Sequence, residues 1–303
     1  MPDDDDDLGR IASRAAWVCE PLRPFLARRG ESLGNHCAAV AAISAGLATS
    51  AVLPSLPGLG TRSVGAALSA IAGILHDIGK ALPSYQGSID KGPPLIRHEV
   101  ASFVAAANAI RVRERCWIDA VAPVMGSVLY HHHGLYDITE RISHYLVTGA
   151  RAWETESSEG LEEAADALSS LFKRLRVFVR EFGLSNMIFV SEEALSAGTW
   201  SRPLRELIRA GALERAFRLE EEVNRRRHVV VPMLSNVMIA DNVAAYCAVR
   251  YGGGDDEEGG RITFITRVGL PVIASRASAI AGAVSAVRTV NYVLPCLVEL
   301  VLR

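Results

Sequence analysis

The residues of this chain best equipped for chemistry are histidines and aspartates at the ends of apolar runs. His36 opens HCAAVAAISAG, His76 and Asp77 close IAGILHD, and His98 opens HEVASFVAAA. His131, His132 and His133 follow AVAPVMGSVLY and precede Gly134, while Asp241 lies inside the apolar stretch HVVVPMLSNVMIADNVAAYCAV. Imidazole nitrogens and carboxylate oxygens together suit divalent zinc, manganese, iron, cobalt or nickel, whereas magnesium prefers oxygen and keeps more of its water. Two such ions roughly 3.5–4 Å apart can clamp the attacking and leaving oxygens of an in-line phosphoryl displacement, and a carboxylate is the natural bridge between them. Asp77 is the candidate bridge. A lone histidine is more often a hydrogen-bonded core or surface residue than a ligand, and that reading stands for His144 and His228, which fall outside any pattern. For the other positions, spread over five segments with one or two ligands each, coincidence is the poorer explanation.

The segments that carry these residues read as helices. Two are expected over 12–29 and 31–53, separated at Arg29-Gly30, and a third over about 62–79 after the loop PSLPGLG. Apolar periodicity returns over 97–111 and 117–132, with Gly134 as a stop, then over the charged amphipathic segment 151–185, over 228–249 and over about 274–302. RITFIT is the one plausible strand. Half of the residues are hydrophobic but only 6% are aromatic, and the abundance of alanine favours close-packed helices over a β-sandwich. The expected fold is a mainly α bundle around a metal site, with at most a short β-hairpin near the C-terminus. It forms a single domain over 11–303, preceded by an acidic, disordered tail over 1–10.

The net charge of −2 includes five negative charges from Asp3 to Asp7, so the remainder sums to −2 + 5 = +3. Lys173, Arg174, Arg176 and Arg180, and likewise Arg225, Arg226 and Arg227, read either as solvated helix faces or as nucleic-acid contacts. Five scattered cysteines without a CxxC spacing imply neither a disulfide framework nor a zinc knuckle. No export signal opens the chain, so a reducing, cytoplasmic setting is expected. The apolar stretch 36–60 is broken by Pro54 and Pro57, which reads as a buried core helix with no membrane partner.

HDIGKALPSYQ resembles the signature of the CRISPR-associated HD nucleases, with Tyr85 and Gln86 as its trailing aromatic and glutamine. RHEVAS and HHG resemble that family's next two motifs, His36 takes the place of its first histidine and Asp241 that of its last aspartate. The resemblance covers about 31–246. It implies an HD-domain fold in which His36, His76, Asp77 and Asp241 hold one metal, and Asp77, His98, His132 and His133 the second, with His131 as the alternative to His133. Two divalent ions are implied, magnesium or manganese ahead of nickel, cobalt or zinc. Lys80, one of three lysines in the chain, is carried over as a phosphate or transition-state contact beside the catalytic Asp77.

The function so implied is metal-dependent cleavage of single-stranded DNA in CRISPR antiviral defence. No GxxxxGK[ST] motif occurs, which by the same resemblance makes this a separate nuclease subunit working with a helicase partner and the CRISPR effector complex. Two other readings stay open: an HD-type nucleotide or cyclic-nucleotide phosphohydrolase, and a non-enzymatic metal-stabilised scaffold.

Overall fold

A computed structural model of the chain describes residues 3–48, 62–89, 98–112, 118–132, 160–200, 213–251 and 269–302. Its helices are α1 (Asp3–Cys19), α2 (Leu33–Leu47), α3 (Arg62–Leu75), α4 (Pro83–Gln86), α5 (His98–Ala109), α6 (Ile118–Tyr130) and α7 (Leu161–Glu181). They continue as α8 (Ala197–Trp200), α9 (Leu213–Arg225), α10 (Arg227–Tyr251), α11 (Leu270–Ser275), α12 (Ala277–Ser285) and α13 (Val293–Leu302). The fold is helical, as expected. Among the described residues there are two small antiparallel sheets: β1 (Leu26–Arg28) with β2 (Glu31–Ser32), and β3 (Ile110–Val112) with β4 (Ile188–Val190). The expected strand RITFIT lies outside the described residues.

The centre of the bundle is α2. A helix that is apolar on every side has to be enclosed, and all of Leu33–Leu47 except Asn35 is buried, with α1, α3, α10 and α12 around it. Small residues let these helices approach closely. A Cβ on Gly73 would stand 2.7 Å from the Ala41 Cα, so α3 crosses α2 almost backbone to backbone. The buried residues form one continuous cluster from Leu8 in α1 to Leu300 in α13. The stretches Ser63–Ala81 and Arg227–Tyr251 are apolar and long enough to cross a membrane by length and composition, but both are mostly buried within the fold.

Several boundaries differ from the sequence expectations. The acidic N-terminus is helical from Asp3. Asp7 accepts a hydrogen bond from Ser63 Oγ at 2.9 Å, and Leu8 is buried. The helix expected over 12–29 ends at Cys19, because Pro21 and Pro24 cannot donate to a continuing helix, and the chain turns into the β1–β2 hairpin through Gly30 at φ 73°. The helix expected over 274–302 is broken into pieces, and Pro295, tolerated in the first turn of α13, prevents that helix from running back through Asn291. Cys247 on α10 and Cys296 on α13 form a disulfide, with their Cα atoms 5.5 Å apart. This corrects the expectation of none: helix packing joins two cysteines 49 residues apart, a pairing for which local spacing carries no signal.

Candidate metal centre

All of the prospective ligands that the structure describes, except Asp241, come from helix ends. His76 and Asp77 follow the last turn of α3, His131 and His132 follow α6, His98 opens α5, His36 sits in the first turn of α2, and Asp241 lies inside α10. Gly79 allows the α3 end to meet α5: a Cβ there would collide with the His98 carbonyl oxygen and stand 2.8 Å from both Ala101 Cβ and Ser102 N. The Gly79 N–H donates to Ser102 Oγ at 2.8 Å, which locks that approach. The trailing Tyr85 and Gln86 grip the hairpin. The Gln86 side-chain amide accepts from Leu26 N–H and donates to Leu26 O, both at 2.9 Å, and also donates to Lys80 O at 2.6 Å. The Tyr85 hydroxyl donates to Ala27 O at 3.3 Å.

Two quartets result, and they share Asp77. His36, His76, Asp77 and Asp241 form a buried one, while Asp77, His98, His131 and His132 form one that opens to solvent at His132. Within each quartet the ligand atoms lie within 4.8 Å of one another. Asp77 divides its oxygens between them. Oδ2 is 3.4 Å from His36 Nε2 and 3.3 Å from His76 Nε2, whereas Oδ1 is 3.1 Å from His98 Nε2 and 3.5 Å from His131 Nε2. Asp241 Oδ1 is 3.1 Å from His36 Nε2, and the Nε2 atoms of His98 and His132 are 2.8 Å apart. The structure therefore brings together every expected ligand but His133, which lies outside the described residues. In the second quartet His131 joins His132. His228 is not part of either quartet, and His144 lies outside the described residues.

The donor set fits divalent cations. Among the described residues, His76 Nε2, His131 Nε2 and both Asp77 oxygens are buried without a hydrogen bond of proper geometry, although Lys80 Nζ stands 2.7 Å from Asp77 Oδ2. Buried polar atoms are rarely left so. All four face the same space, and His76 and His131 already spend Nδ1 on the carbonyls of Gly73 and Val128, at 2.7 and 2.9 Å. That fixes the tautomer with Nε2 available to a cation.

Electrostatics point the same way. Burial would raise the carboxyls of Asp77 and Asp241, but His76, Lys80 and His98 outweigh it at Asp77, and a hydrogen bond from His36 does so at Asp241, so both are held well below the usual carboxylate range. Burial pushes His76 and His98 down, which keeps their lone pairs available. Burial also opposes the proton on His36, yet the Glu31, Asp241 and Asp77 carboxylates carry its pKa up to about 10. In the metal-free protein that proton supplies positive charge that a cation would displace. Lys80 is buried, and Asp77 outweighs the burial to hold its pKa at about 12.

Sequence reasoning missed Glu31, five residues before His36. Its Oε1 lies 3.1 Å from His36 Nδ1. The hairpin that carries it spans the end of the helix expected over 12–29 and the start of the one expected over 31–53. The basic clusters prove largely occupied: Arg174 pairs with Glu20 at 2.6 Å and Arg176 with Glu192 at 2.6 Å, while Arg225 pairs with Glu221 and Arg226 with Asp119 and Glu222. Arg174 and Arg226 tie separate segments together, which weakens their reading as nucleic-acid contacts, whereas Arg176 and Arg225 pair at the exposed surface.

No curated protein and no solved structure matches the chain. A protein-family model does: residues 27–200 match the family described as Cas3, HD domain. That span holds every candidate ligand but Asp241, which α10 adds from outside it. With more than half of its length matched and the motif histidines gathered around one aspartate, the chain belongs to the Cas3 HD-domain family, the CRISPR-associated HD nucleases of the HD superfamily.

Proposed function

We propose that this chain hydrolyses phosphodiester bonds of single-stranded DNA with a pair of divalent cations, in the cytoplasm, as the nuclease of CRISPR interference. The observation that carries the reading is the division of Asp77 between two ligand quartets. His36, His76 and Asp241 would complete the buried position and His98, His131 and His132 the outer one. Bound there, two divalent cations would supply Lewis-acid activation of the scissile phosphate and of the attacking water. The chain's own residues hold Nε2 and carboxylate oxygens inward, keep the carboxylates ionised and set one buried ammonium, Lys80, beside the bridging carboxylate. Lys80 would meet a phosphate oxygen as negative charge develops there.

The substrate approaches from the side of His132, the exposed ligand. A single strand can bend a phosphodiester toward a recess framed by helix ends, whereas duplex DNA, with a persistence length of about 150 bp, resists such bending. The Cas3 HD-domain match supports a CRISPR setting for the chain, and a helicase of that machinery is the proposed source of the single strand.

The test is a panel on metal-stripped protein: magnesium, manganese, cobalt, nickel and zinc against single-stranded DNA, blunt duplex, a mononucleotide and a cyclic nucleotide at one salt concentration. The expected result is cleavage of the single strand with restored metal, its abolition by chelator and little attack on duplex. Hydrolysis of the nucleotides with DNA untouched would replace this reading with a nucleotide phosphohydrolase. Metal binding without hydrolysis of any substrate would replace it with a scaffold.

A further inference from the structure

His76 and His131 follow the C-terminal ends of helices, where the last carbonyls have no intrahelical partner. Each ring donates Nδ1–H to such a carbonyl, that of the residue three positions back. His36 has no such recourse. It lies in the first turn of α2, where the orphan backbone groups are N–H donors, so an acceptor for its Nδ1–H has to come from elsewhere. That acceptor is Glu31, a buried carboxylate with Oε1 at 3.1 Å.

Glu31 is itself fixed from two sides. Arg28 Nε stands 2.6 Å from Oε2, and the Tyr292 hydroxyl donates to Oε1 at 3.3 Å. Arg28 lies across the β1–β2 hairpin in register with Glu31, and Tyr292 reaches in from the segment just before α13.

We propose that Glu31 is a positioning residue of the metal centre, holding the His36 ring by Nδ1 so that Nε2 faces the buried quartet. The inference rests on the two-cation reading above, and it assigns Glu31 to one of the two positions only. Carboxylates behind a ligating histidine orient the ring and raise its basicity, and losing one lowers metal affinity by roughly 10–100-fold.

The test is a cobalt titration of metal-stripped protein, followed by visible absorption and calorimetry, on wild type, Glu31→Ala, Glu31→Gln and Tyr292→Phe. Wild type takes two ions. In Glu31→Ala one ion binds about 10–100-fold more weakly with an altered visible spectrum, while the other keeps its affinity. Glu31→Gln, whose amide oxygen still accepts the hydrogen bond, recovers part of the loss, and Tyr292→Phe, which frees Glu31 on one side only, shows a smaller effect. Thermal melts of the metal-free proteins show whether each variant folds, and Glu31→Gln carries the test if Glu31→Ala does not. Two ions at unchanged affinity in both Glu31 variants would overturn the role of Glu31 and leave the metal centre standing. Equal weakening of both ions, with no recovery in Glu31→Gln, would make Glu31 a general structural residue. A wild type that binds no ion would instead overturn the reading on which the inference rests.

Discussion

At the scale of single residues, two buried charges have consequences that can be measured. Lys80 Nζ is 2.7 Å from the oxygen of Asp77 that faces the buried quartet, and it stays protonated across neutral pH. An ammonium beside two cations is of more use to a phosphate than to a metal. Lys80→Ala should therefore lower turnover by roughly 100-fold, the scale of losing one donor to developing negative charge, with metal content nearly unchanged. Parallel kinetics and metal analysis check this, and a variant isolated without its metals would make the lysine structural. Glu220 on α9 is a different case, buried with Oε1 lacking a hydrogen-bond partner among the described residues. Burial raises its carboxyl from 4.5 to about 7, against a lowering hydrogen bond from Asn224. The folded chain thus holds a proton that the unfolded chain releases between these values, so this contribution to stability is complete below about 4.5 and is lost as pH rises through about 7. Glu220→Gln should remove that dependence and be more stable than wild type by roughly 1 kcal/mol at pH 8. Parallel stability curves for the two proteins between pH 4.5 and pH 8 would contradict it.

At the scale of elements, most ligands could be read from the chain because they sit where an apolar run stops or starts, and a polar residue there is conspicuous. His36, His76, Asp77, His98 and His132 reach the centre this way, while Asp241 stands out as a charge inside an apolar helix. Positions fixed by contacts between distant segments were not legible. Nothing local distinguishes His131 from its two neighbours; its place in the centre depends on the angle at which the chain leaves α6 beside the Val128 carbonyl. Glu31 was hidden because it opens the segment 31–53 that reads as one helix, whereas the chain pairs it in a hairpin before α2 begins at Leu33. The Cys247–Cys296 bond depends on α13 packing against α10, the helix that carries Asp241. A loop of this length closed by a disulfide is stabilised by about 2–4 kcal/mol. Cys296→Ser should lower stability by that amount, read from denaturant unfolding, and should move the midpoint of the oxidised protein to that of the reduced one. Identical midpoints for wild type and variant without reductant would show that the bond contributes nothing.

At the scale of the whole molecule, the family match accounts for residues 27–200, and the remainder is more than packing. α10 contributes Asp241 to the buried quartet, and the segment before α13 contributes Tyr292 to the support of His36. One core joins these parts, from Leu8 to Leu300, so the centre is assembled by the fold as a unit. A single carboxylate, Asp77, serves both ligand quartets. The most direct test of that sharing is the number of divalent ions bound per chain, counted by equilibrium dialysis with manganese and elemental analysis, in wild type, Asp77→Ala and His132→Ala. Two ions are expected for wild type, one for His132→Ala and none retained at comparable affinity by Asp77→Ala. Two ions bound by Asp77→Ala as tightly as by wild type would contradict it.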